Sequence, residues 1–514
     1  MSVFSNLLRL ARTAATFHRS GALDIALEAA NAPRQLRVLM RILAAPSAPL
    51  GLRGDPSLPP LVRALTALGP VYVKFGQVLS TRPDVVGPAL ARELRVLQDQ
   101  MPPFPQAEAE AEVERELGAP VSELFTSFGP PIAAASIAQV HQAVDASTGK
   151  LVAVKVLRPG VERAFQRDID AFYFFARLVE MVAPRTRRLR PVAVIAHFEG
   201  VVVTELDLRL EAAAAAEFRA NSADDARFAV PEVFWPLSAR RVMTTAWVEG
   251  TALGDVDALI AQGQELERIG VLVVQTFLRH ALRDGFFHAD MHQGNLKVAA
   301  DGTLIALDFG IMGRIDPYTR RVYAEILLGF LRKDYRRVAE VHFEAGYVSA
   351  DRDLEAFAQA LRSIGEPIFG QRADRISMAR LLAHLFDVTE RYGMETRTEL
   401  ILLQRTMVVV EGVGRSLDPH LNIWTTSQPV VEAWMRDNLG PKAALRDAQA
   451  TLAVLARFGP RLPAIAERAL TRLVEADRPA PSAPGAKLGA IVAAAAGAGL
   501  IGMLAGAGLI LLML

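Results

Sequence analysis

The 514-residue chain predicts an α+β fold of two lobes, a small mixed lobe followed by a large helical one, with a helical extension before them and a transmembrane helix after them. Three observations predict it. The segment LVAVKVL alternates apolar residues around Lys155, as a strand with one buried face does. Two apolar stretches, VAA and TLIAL, flank the turn Asp301-Gly302 and read as a hairpin. From Tyr318 to about Ala476 the pattern is helical, as in LLAHLFDVTERYG and LILLQRTMVVVEGVGRSL. The boundaries read 1–105 for the extension, 106–250 and 251–476 for the lobes, 477–487 for a linker and 488–514 for the span.

Composition excludes several classes. Net charge is +1, with 57 basic and 56 acidic residues, so nothing electrostatic argues for nucleic acid. There is no cysteine, which rules out disulfides, zinc–thiolate sites and thiol catalysis.

The extension opens on Met1 to Leu23, a segment with Arg9, Arg12 and Arg19 and no acidic group. Three readings stay open: an organelle transit peptide, a basic helix on an anionic membrane, or a helix packed on the domain with its arginines solvated. A retained helix on a bacterial protein is the favoured one. Residues Ala22 to Pro105 look helical, interrupted by APSAPLGLRGDPSLPP, and include YVKFGQVLSTRPD. Taken alone, Lys74 there is a surface lysine at a helix start.

The chemistry sits in the two lobes. HADMHQGNLKVAADGTLIALDFG, from His288 to Gly310, holds an Asp, an Asn five positions on, and an Asp-Phe-Gly. That is the polar skeleton of a protein-kinase active site, with Asp290 facing the acceptor and Asn295 and Asp308 holding magnesium on ATP phosphates. Lys155 upstream matches the lysine that neutralises the α- and β-phosphates. Just before it, PPIAAASIAQVH puts Ala133, Ala134, Ala135 and Ser136 where a kinase carries glycines, which predicts a stiffer phosphate loop; a helix start capped by Ser136 is the alternative. The acid partner of Lys155 is sought among Glu199, Glu205, Glu211 and Glu217; Glu211 is chosen because it opens the alanine-rich helical run, though Glu205 could exchange roles with it. Trp247 to Gly250, with Glu249, reads as the hinge contacting adenine. Ala289 replaces the arginine of loop-regulated kinases, and no Ala-Pro-Glu follows Asp308 closely. His288 reads as structural and His292 as capping or packing the loop.

These residues resemble the UbiB family of atypical kinases and ATPases associated with ubiquinone biosynthesis. KFGQ (Lys74 to Gln77) is similar to the family's KxGQ signature, AAAS to its alanine-rich loop, ELD (Glu205 to Asp207) to its ExD motif, and EGVGRSLDP (Glu411 to Pro419) to a late helical segment. Met291 and Gln293 stand where prolines are expected. The resemblance implies an atypical protein-kinase-like fold whose KxGQ helix packs over the active-site cleft. Lys74 and Gln77 would fill the space for a peptide substrate, and Glu205 and Asp207 would lie near the phosphates and meet that extension, a regulatory arrangement against protein substrates. It also implies ATP and Mg²⁺ as cofactors, slow hydrolysis, and quinone-precursor lipids and ubiquinone-biosynthesis enzymes as partners. A small-molecule or lipid kinase, a conventional protein kinase with an open peptide groove, and an ATP-binding scaffold are the rival classes.

The end of the chain is the last element. From Leu488 to Leu514 no side chain is charged or polar, and a helix of that length would span about 40 Å. ADRPAPSAPGAK precedes it as a linker. The expectation is a tail anchor in the bacterial inner membrane, with Arg472, Arg478 and Lys487 keeping the kinase-like part cytoplasmic. Gly502 and Gly506, with Ala498, offer a face for a homodimer within the lipid.

Overall fold

A computed structural model describes residues 3–29, 45–80, 102–182, 191–369, 391–394 and 398–439, with residues 34, 38, 41, 90, 93, 94, 97 and 388. The transmembrane span expected at 488–514, its GxxxG face and the linker expected at 477–487 lie outside the described residues. Among the described residues, no helix is long and apolar enough to cross a membrane. The described residues divide into two compact units: those up to Ala213 with Glu232–Val248, and Ala214–Pro231 with those from Glu249 to Leu439.

In the first unit the basic N-terminus is a folded helix, Val3–Ser20, with Leu10, Ala14, Ala15 and Phe17 buried. Arg9 pairs with Asp168 at 2.5 Å and Arg19 donates to the Gly51 carbonyl at 2.9 Å, so two of the three arginines are bonded rather than merely solvated. The proline-rich stretch after it is likewise part of the packing. A Cβ at Gly51 would meet the Ala15 carbonyl at 2.5 Å, and the Leu52 N–H donates to Thr16 Oγ1 at 3.0 Å.

The sheet of this unit runs β1 (Phe125–Ala134), β2 (Ala138–Asp145), β3 (Leu151–Leu157) and β5 (Val242–Ala246), all antiparallel. The alternation read around Lys155 has a simple cause. Val152, Val154 and Val156 share one fully buried face with Phe104, Ala109, Val113 and Phe125, and the lysine falls on the other. Arg241, at the start of the β5 segment, binds Glu112 and Glu162 and donates to the Arg158 carbonyl at 2.9 Å. This network ties the helix Gln106–Leu117 to the sheet.

The second unit contains a sheet ordered β4 (Phe228–Ala229), β9 (Leu304–Ala306), β8 (Leu296–Val298) and β6 (Thr251–Ala252), and a ribbon of β7 (Phe286–His288) with β10 (Met312–Arg314). Helices follow at Pro317–Leu331, Tyr335–Glu344, Leu354–Phe369, Thr398–Leu417 and Ile423–Leu439. The helices Leu266–Arg279 and Thr398–Leu417 cross at two glycines: a Cβ on Gly270 would stand 3.1 Å from the Gly414 carbonyl. Close approach therefore explains the second glycine of EGVGRSLDP.

Its glutamate has a different consequence. Burial raises the Glu411 carboxyl from its ordinary 4.5 to about 7, against the opposing pull of Arg415. The folded chain then holds a proton that the unfolded chain has lost, so stability falls as pH rises from 4.5 to about 7. Glu411→Gln is expected to exceed the parent in stability by on the order of 3 kcal/mol above that window and to match it below, in urea unfolding across pH.

Candidate active site

Lys155, on β3 opposite Val140 and Met243, places Nζ 2.6 Å from Glu211 Oε1. Glu211 lies in the first turn of the helix Leu208–Asn221, where the positive end of the helix dipole favours a carboxylate. The other three candidate acids each have a different partner. Glu199 accepts from the Tyr173 hydroxyl at 2.6 Å, so it is no idle surface residue. Glu205 pairs with Lys74 at 2.6 Å. Glu217 stands on a solvated face, 42% exposed, and is held there by both terminal nitrogens of Arg314, at 2.9 and 2.7 Å.

The alanine-rich segment is a strand end and a turn, not a helix start. Ala133 and Ala134 close β1 opposite Val140 and Gln139, and Ala135 N donates to the Ala138 carbonyl at 2.8 Å around a buried Ser136. Alanine suffices because none of these residues takes a positive φ; among described non-glycine residues only Arg227 and Lys333 do. Arg158 grips the turn from outside, with Nε 3.3 Å and NH2 3.2 Å from the Ala135 carbonyl. Its only signal in the sequence is an arginine directly after the strand.

KFGQ resolves into four separate jobs on the helix Pro70–Ser80. Lys74 makes the ion pair with Glu205, with side-chain exposures of 14% and 8%. Phe75 packs at 5.3 and 5.1 Å from the rings of Phe172 and Phe198. Gly76 leaves room for Leu65 and Leu97, which a Cβ would strike. Gln77 donates to the Leu97 carbonyl at 2.8 Å, so its amide parts from Lys74 and serves the extension itself. The ELD carboxylates also part. Asp207 is bonded by Arg209 Nε and NH2 at 2.9 and 2.6 Å, and those bonds hold its carboxyl below the usual range. Glu249 is exposed, and the division between the two units falls just before it.

In the second unit, the hairpin expected from VAA–DG–TLIAL forms, with Leu296 opposite Ala306 and Thr303 bonded to Asp301 across the turn. It sets Asn295 and Asp308 at neighbouring strand ends, and the Leu307 N–H donates to the Asn295 carbonyl at 3.0 Å. Asn295 Nδ2 donates to the Asp290 carbonyl at 3.0 Å, and Asp308 Oδ1 accepts from the Gly310 N–H at 2.9 Å. His288 Nδ1 accepts from the Asp290 N–H at 3.1 Å, which puts its proton on Nε2; burial lowers its pKa and keeps the ring neutral. His292 caps the following turn through Nδ1, which accepts from the Gly294 N–H at 3.0 Å. Two further contacts carry no sequence signal: Thr406 Oγ1 reaches the Ala289 carbonyl at 3.1 Å, and Gln293 Nε2 donates to Ser416 Oγ at 2.5 Å.

Residues 96–342 match the ABC1 atypical kinase-like domain, and residues 361–422 match the UbiB helical domain. A Marinobacter nauticus protein named Probable protein kinase UbiB is 39% identical over 477 residues, which cover 91% of this chain and 86% of its own. The chain belongs to the UbiB family of atypical kinases. Its Azotobacter vinelandii relative of the same name is 40% identical over 81% of this chain and 77% of its own. Among solved structures, that of Mycobacterium tuberculosis Rv3197 with erythromycin is 26% identical, with a TM-score of 0.51 over 69% of this chain and 90% of that one. In the loop HADMHQGN, Met291 is buried at 1% exposure and Gln293 is the residue bonded to Ser416.

Proposed function

We propose that this chain binds Mg-ATP and hydrolyses it slowly, in support of ubiquinone or other isoprenoid-lipid biosynthesis, as a membrane-anchored protein of the bacterial inner membrane. The observation that carries the reading is the hairpin with Asn295 and Asp308 at its neighbouring strand ends, one turn from Asp290. The donor set suits magnesium: one carboxylate and one amide oxygen, the remaining positions going to phosphates and water. Because Asn295 Nδ2 donates to the Asp290 carbonyl, Oδ1 is the atom of this amide that would hold a cation. Among the described residues no cluster of three or more His, Asp or Glu offers a rival metal site.

Bound Mg-ATP supplies the phosphoryl group and the charge neutralisation for its transfer. Lys155, oriented by Glu211, holds the α- and β-phosphates, with Ala133 to Ser136 covering them and the Trp247–Gly250 segment meeting adenine. Asp290 orients the attacking water or hydroxyl through its carboxylate. Lys74 and Glu205 neutralise each other and close the site to peptides. The partners are membrane lipids, quinone-precursor lipids among them, and enzymes of ubiquinone biosynthesis; the apolar C-terminus anchors the chain and offers its GxxxG face to a second copy.

The test is phosphate release from Mg-ATP by the full chain in liposomes, with and without a phenol resembling a quinone precursor. Lipid-stimulated release that Asp308→Asn abolishes is the expected result. Nucleotide binding without release, equal in parent and variant, would favour a scaffold instead.

A further inference from the structure

The loop around Asp290 is fastened to the helix Thr398–Leu417 at two points. Gln293 Nε2 donates to Ser416 Oγ at 2.5 Å, and the Ser416 hydroxyl directs its own proton to the Val413 carbonyl at 2.7 Å. Acceptor and donor functions of the serine are thus both satisfied. Ten residues earlier on the same helix, the buried Thr406 hydroxyl lies 3.1 Å from the Ala289 carbonyl and 2.8 Å from that of Leu402, sharing one proton between loop and helix. Between the two ties, Met291 is buried at 1% exposure. The helix is itself fixed by its crossing at Gly414 and Gly270. Asp290 is therefore bracketed, one residue before and three after, by ties to a rigid element.

We infer that Gln293 is a positioning residue, whose bond to Ser416 holds the Asp290–Asn295 turn in place for the phosphoryl chemistry proposed above. The backbone explains why a side-chain tie is used. His292 is extended (φ −80, ψ 164), and residue 293 opens a 3₁₀ turn, a setting in which proline would fit and restrain the chain by its ring. A glutamine has no such restraint and obtains it from the neighbouring helix. The inference rests on the Mg-ATP reading for its consequence in turnover, but the tie itself is a property of the nucleotide-free chain.

The experiment separates the two. Gln293→Ala, Ser416→Ala, their double variant and Gln293→Pro are compared with the parent as full chains. Amide hydrogen exchange over residues 290–295 is followed without nucleotide, and phosphate release from Mg-ATP is followed in liposomes. Each alanine variant is expected to exchange faster in the loop and to lose roughly tenfold in kcat with KM for ATP little changed, because small misplacements of a reacting group are costly in rate. The double variant should lose no more than either single one, since both delete the same bond. Gln293→Pro should return exchange and kcat close to the parent. Unchanged exchange in both alanine variants overturns the tie, and so does a proline variant as impaired as Gln293→Ala. A parent that releases no phosphate would fail the Mg-ATP reading alone, and exchange would still decide the tie.

Discussion

Asp290→Asn is expected to lower phosphate release by roughly 10²- to 10⁴-fold while leaving Mg-ATP affinity near that of the parent, because a positioned base contributes that much to a proton transfer. The substitution isolates the carboxylate. The backbone at this position is held by His288 Nδ1 on its N–H and by Asn295 Nδ2 on its carbonyl, and neither bond uses the side chain that changes. His292 Nε2 lies 3.7 Å from Asp290 Oδ2, too far to anchor it, so the loop should keep its shape in the variant. Release at the parental rate would show that water is oriented by another group.

The second large effect concerns stability. Lys74→Met should destabilise the chain by about 3–5 kcal/mol, because it leaves the Glu205 carboxylate buried and unneutralised. Neither Glu205 oxygen has a hydrogen-bond partner of good geometry, and Lys74 is its counter-charge at 2.6 Å. Lys74→Met with Glu205→Leu should recover most of the loss, as apolar replacement of a buried pair commonly does. Urea unfolding of the four chains measures the coupling directly. Equal stability of Lys74→Met and the parent would mean that water reaches Glu205, and that the pair does not brace the KFGQ helix.

The sequence made some of this legible and hid the rest for physical reasons. The β3 strand and the catalytic hairpin were readable because period-two alternation and a Asp-Gly turn are local signals. Glu211 was distinguishable from Glu205 only by its place at a helix start, and the separate partners of Glu199, Glu205 and Glu217 lie 26, 131 and 97 positions away in the chain. Such pairings depend on tertiary packing that no local pattern encodes. The same holds for Arg241 with Glu112 and Glu162, and for Ser416 with Gln293, 123 residues apart. The KFGQ motif was legible as a signature but not as mechanism. Lys74 and Gln77 were expected to fill one space together, yet Gln77 donates to the Leu97 carbonyl while Lys74 pairs with Glu205.

The most direct test of the central claim is calorimetric titration of the full chain with a non-hydrolysable ATP analogue, with and without Mg²⁺, for the parent and Lys155→Met. The account predicts Mg²⁺-dependent binding by the parent that the variant loses in large part. Binding that is absent, or indifferent to both Mg²⁺ and Lys155, would contradict it.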